Sequence, residues 1–126
     1  MRYITMLFLM ATSHLAISQD TVDLTLLQGV YDDPSVYIID QMEKGPMKFY
    51  EDLVYNIKYD VQLKKGTMSD EFSGEKPLKV TDVDSVLRIE ITYNSSTIKK
   101  GVIERCDHEM LKIKFETTIE EYMRKN

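Results

Sequence analysis

Cys106, Asp107 and His108 set a thiol, a carboxylate and an imidazole side by side, the three groups of a nucleophilic site. Neighbouring side chains on a strand point to opposite faces, whereas a nucleophile and its base must lie within hydrogen-bond reach. The run therefore reads as a turn ahead of a strand. Beyond His14, in the opening segment, His108 is the only histidine, so a Cys–His pair has no other base of that type. No glycine-rich phosphate loop and no nucleophile elbow is present, and no enzymatic activity is expected.

Metal chemistry has no better footing. A structural zinc site wants four nitrogen or sulfur ligands, and the chain has one Cys. Asp32/Asp33, Asp82/Asp84 and Glu120/Glu121 bring carboxylates together, but none sits in the glycine-containing loop that calcium sites use. They read as solvated acidic turns, and neither a metal nor another cofactor is expected. A carboxylate pair for glycoside chemistry is defined by distance in space, and nothing singles one out among 21 Asp+Glu. Asn94-Ser95-Ser96 fits the glycosylation sequon at a predicted hairpin tip.

The tyrosines carry more information than any motif. Leu53, Tyr55, Ile57, Tyr59, Val61 and Leu63 alternate with Val54, Asn56, Lys58, Asp60, Gln62 and Lys64. Such alternation belongs to a strand with one face on a core and one in water. Tyr55 and Tyr59 thus face inward, where a ring can be buried while its hydroxyl meets a ligand or a backbone group. Burial is worth roughly 1.5–3 kcal/mol per large side chain, against about 1–2 kcal/mol per residue of backbone entropy. The strand needs a sheet around it.

Two more runs repeat the pattern, Leu87, Ile89, Ile91, Tyr93 and then Leu111, Ile113, Phe115. Shorter strands are expected at Leu24–Tyr31, Val36–Met42, Met47–Glu51, Leu78–Thr81, Ile98–Arg105 and Thr118–Arg124. Turn chemistry separates them: Asp32-Asp33-Pro34, Glu43-Lys44-Gly45-Pro46, Lys65-Gly66 and Asn94-Ser95-Ser96. Lys64–Pro77 lacks periodicity and reads as a mobile loop, the kind of segment through which a rigid β scaffold meets partners. A meander of this many strands has two edges to hide, and closure into a barrel removes them, with a two-sheet sandwich as the alternative.

The start of the chain has its own logic. Arg2 precedes an apolar run from Ile4 to Ala11, and Ala16-Ile17-Ser18 forms a small-x-small cleavage pattern. The run falls well short of the about 20 apolar residues that span a bilayer. Residues 1–18 are expected to be a signal peptide and residues 19–126 one domain, with secreted or periplasmic localisation. Loss of Arg2 would take the net charge from −5 to −6, which disfavours nucleic acid as a partner. No membrane span is expected in residues 19–126, and a single Cys precludes an intramolecular disulfide.

Gly29-Val30-Tyr31 near one end resembles the Gly-x-Trp that opens the first lipocalin strand, and Tyr122-Met123-Arg124 is similar to the Tyr-x-Arg ending of short bacterial lipocalin-like domains. Tyr31 stands where that family has Trp, and the chain contains no Trp. The resemblance implies an all-β fold. It would be an antiparallel up-and-down meander of about 8 strands closing into a small lipocalin-like barrel, preceded by a signal-peptide helix. It further implies a cation–π closure of the barrel by Tyr31 and Arg124.

The expected function is binding of a small hydrophobic or amphipathic ligand inside the barrel, by Tyr55, Ile57, Tyr59, Ile89, Ile91, Ile113 and Phe115. The alternative is a protein-interaction or inhibitory module with a solid core, acting through an exposed face or the 64–77 loop on a protein partner.

Overall fold

In the computed structural model, residues 21–47 and 53–125 are described. The expected signal peptide, residues 1–18, lies outside them, as does the strand expected at 47–51 apart from Met47. Met47 makes an antiparallel bridge to Val36. Among the described residues no helix is long and apolar enough to cross a membrane.

The described strands are β1 (Gly29–Asp32), β2 (Ser35–Ile38), β3 (Val54–Asp60), β4 (Lys65–Asp70), β5 (Lys76–Val83), β6 (Val86–Asn94), β7 (Thr97–Cys106), β8 (Met110–Lys114) and β9 (Thr118–Met123). They form one antiparallel sheet in the order β1-β3-β4-β5-β6-β7-β8-β9-β2. From β3 to β9 the order is a plain meander. The edges are instructive: β1 and β2 lie at opposite ends of the order, yet only Asp33 and Pro34 separate them in the chain. A flat sheet cannot satisfy that, so this one curls into a half-barrel. Tyr31 of β1 bridges Arg124, just past β9, and the Lys125 amide donates to the Val30 carbonyl at 2.8 Å.

Inside the curl the concave face is apolar. Ile57, Met68, Leu78, Val80, Ile89, Ile91, Ile103, Leu111, Ile113 and Phe115 are buried together, with Leu27, Tyr31 and Tyr122. Two glycines allow close approaches. A Cβ on Gly66 would run into the Lys58 carbonyl, and one on Gly101 would press on Ile113 and Phe115.

Several elements differ from expectation, each for a local reason. The strand expected to run through Leu63 stops at Asp60, whose carboxylate accepts from the amides of Gln62 (2.9 Å) and Leu63 (3.0 Å) and folds the chain back. Val61 and Leu63 are therefore 45% and 64% exposed rather than inward. The segment 64–77 is not one long loop, because it contains β4 and the start of β5. Leu24–Leu26 is a 3-10 turn capped by Asp23, and β2 gives way at Ile39–Lys44 to another 3-10 segment. A register shift falls between Thr92 and Asn94 on β6, and Tyr93 beside it is nearly half exposed.

Candidate functional site

The two ends of the curled sheet are built differently. At one end Val22, Leu24 and Leu26 pack against the core and Leu27 is fully buried. Arg124 ties this segment down: Nη2 donates to the carbonyls of Leu26 and of Asp107 (3.1 Å), and Nη1 to that of Gln28 (3.2 Å). Its guanidinium carbon lies 4.8 Å from the centroid of the Tyr31 ring. The Tyr31 hydroxyl donates to the Leu27 carbonyl at 2.7 Å. Burial, opposed by Arg124, pushes that phenol up to about 12.

The other end opens into a cavity of about 1040 Å³. Its wall comes from the ends of many strands: Val36 of β2, Tyr55 of β3, Met68 and Asp70 of β4, Tyr93 of β6, Lys99 of β7. Glu120 and Tyr122 of β9 also line it. Tyr122 forms part of the floor, standing nearly perpendicular to Tyr31 (centroids 6.3 Å apart) on one side and Tyr55 (5.5 Å) on the other.

A polar network is set into this wall. Glu120, only 7% exposed, accepts from the Tyr122 hydroxyl at 2.5 Å and from Lys99 Nζ at 2.6 Å. Lys99 also lies 4.2 Å from the Phe115 ring centroid. Burial, then the Glu120 carboxylate, pushes the Tyr122 phenol well up, and burial, then Asp33 and Asp70, does the same to Tyr55. Both rings stay neutral over the physiological range. Burial works to raise the Asp70 carboxyl, but hydrogen bonds from Phe72 and Ser73, helped by Lys76, outweigh it and hold the group low.

Of the residues expected to bind a ligand, Tyr55 lines the cavity. Ile57, Tyr59, Ile89, Ile91, Ile113 and Phe115 are buried in the core and lie outside the cavity wall. The wall residues outside the expected set are chiefly Met68, Asp70, Lys99, Glu120 and Tyr122, and Glu120, read from the sequence as part of a solvated acidic turn, is buried in β9. Strand parity would have found two of them, since placing Arg124 inward puts Tyr122 and Glu120 on the same face.

Cys106, Asp107 and His108 fall where β7 ends and a turn begins. The Cys106 thiol is buried, and burial pushes it up to about 11. Asp107 accepts from Arg105 Nε at 2.6 Å and from the amides of Glu109 and Met110. Its groups serve the turn.

Compared with family models, curated proteins and solved structures, the chain matches none.

Proposed function

We propose that this chain is an exported, lipocalin-like binding protein whose curled sheet closes into a small barrel and holds a small hydrophobic or amphipathic molecule in its open end. The observation that carries the reading is the cavity of about 1040 Å³, just above the about 300–1,000 Å³ typical of small-molecule sites. Its lining combines apolar and aromatic side chains with charged and hydroxyl groups, which suits an amphipathic molecule. Leu53, Tyr55, Met68 and Tyr93 supply the first kind, and Lys99 and Glu120 the second.

The test is titration of the purified protein with a lipophilic fluorescent probe, beside a variant in which Thr118→Trp fills the wall. Binding to the parent and at least tenfold weaker binding to the variant supports the proposal. No binding to the parent, or equal binding to both, overturns it.

One observation favours a second reading. Phe72, in the turn between β4 and β5, is 85% exposed at the rim of the cavity. Exposed aromatics are frequent anchors of protein interfaces. If this reading holds, Phe72→Ser should weaken binding of a protein partner far more than it weakens probe uptake.

A further inference from the structure

The cavity wall carries three carboxylates, Asp33, Asp70 and Glu120, against two ammonium groups, Lys76 and Lys99. Both lysines are engaged by the wall itself. Lys99 Nζ lies between Glu120 Oε2 (2.6 Å) and the Phe115 ring (4.2 Å to the centroid). Lys76 Nζ donates to Ser73 Oγ at 2.6 Å and lies 5.6 Å from the centroid of Tyr93. Each internal ammonium thus rests on an aromatic face, the arrangement in which a ring quadrupole attracts a cation.

Resting on the reading of the cavity as a ligand site, we propose that it selects an amphipathic organic cation, an alkylamine or alkylammonium, held by the rings of Tyr55 and Tyr122 and the carboxylates beside them. The alternatives fit less well. An anionic head paired with Lys99 would compete with Glu120 for the ammonium that offsets a buried carboxylate, which is strongly unfavourable, and one paired with Lys76 would lie beside Asp70, on which that lysine already acts. It would also meet Asp33 and Asp70, both close enough to Tyr55 to raise its phenol. A cation needs no such rearrangement, because a carboxylate that already accepts hydrogen bonds keeps further acceptor sites. A zwitterionic lipid head brings a phosphate to the same carboxylates, so the free ammonium is the better match. The net charge of −5 draws cations toward the protein from a distance.

The experiment is calorimetric titration of the purified protein with three probes of equal chain length: octyltrimethylammonium, octanoate and 1-octanol. The ammonium should bind at least tenfold tighter than octanoate and tighter than octanol. Tyr55→Phe should keep that preference and Tyr55→Leu should narrow it. Octanoate or octanol binding as tightly as the ammonium overturns the cation selectivity while leaving the cavity a ligand site. Failure of all three to bind overturns both.

Discussion

The guanidinium of Arg124 lies against Gly29 so closely that a Cβ at that position would overlap Nη1. A flexible side chain could normally swing aside. Here the guanidinium is held by the carbonyls of Leu26, Gln28 and Asp107 and by the face of Tyr31, so displacing it sacrifices charge-assisted hydrogen bonds. Gly29→Ala should therefore cost about 1–3 kcal/mol in urea denaturation. In an Arg124→Ala background the added methyl meets no guanidinium, and its cost should largely vanish. A double-mutant cycle measures the coupling; additive effects would mean that Arg124 moves freely.

The Lys99–Glu120 pair should respond asymmetrically to truncation. Glu120→Gln can keep the bond from the Tyr122 hydroxyl, and Lys99, whose side chain is 34% exposed, can turn its ammonium to water. Lys99→Met instead leaves a buried carboxylate without its cation. Its cost, roughly 1–3 kcal/mol, should exceed that of Glu120→Gln. Equal losses in urea denaturation at neutral pH would refute the assignment.

How far the sequence revealed this architecture depended on which residues face inward. Ile57, Ile89, Ile91, Leu111 and Ile113 were visible because strand after strand alternates apolar with polar, and all are buried. The strand β4 was invisible because its inward residues are Gly66, Met68 and Asp70, a set with a single apolar member. Val61 and Leu63 continue the alternation of β3 into a turn, since the Asp60 side chain captures the amides of Gln62 and Leu63 whatever the polarity of their neighbours. At the cavity the wall includes Asp70, Lys99 and Glu120, so apolar periodicity fades where the candidate site begins. A search for greasy inward residues finds the packed core and stops short of the opening.

Tyr59 illustrates the difference between a ring that fills space and a hydroxyl that is used. Its ring belongs to the core, but Oη is buried without a hydrogen-bond partner among the described residues. An unsatisfied buried polar group costs about 1–3 kcal/mol. Tyr59→Phe should thus leave stability unchanged or raise it. Tyr31→Phe, which removes the bond to the Leu27 carbonyl, should lower it by about 1 kcal/mol. Thermal denaturation of the two variants decides the matter, and a destabilised Tyr59→Phe would show that the hydroxyl has a partner.

Cys106 links stability to alkaline pH. Its backbone is paired on both sides, the amide donating to Thr21 (2.8 Å) and the carbonyl accepting from Asp23 (2.9 Å), while the side chain is fully buried. Burial raises the thiol from its ordinary 9.0 to about 11, against an opposing pull from Arg124. The unfolded chain therefore releases the proton first. Below pH 9 both states hold it and the thiol adds no pH dependence. Between pH 9 and about 11 the unfolded state binds fewer protons, so the stability of the fold falls as pH rises. Raised phenols extend the loss upward, Tyr31 from 10.0 to about 12. Cys106→Ala should be less stable overall, because it leaves a cavity, yet its stability should decline less steeply through the lower part of that window. At pH 8 the buried thiol should react with a disulfide reagent only as fast as the protein opens. Rapid labelling under native conditions, or an alkaline slope identical in the variant, would contradict the burial of this thiol.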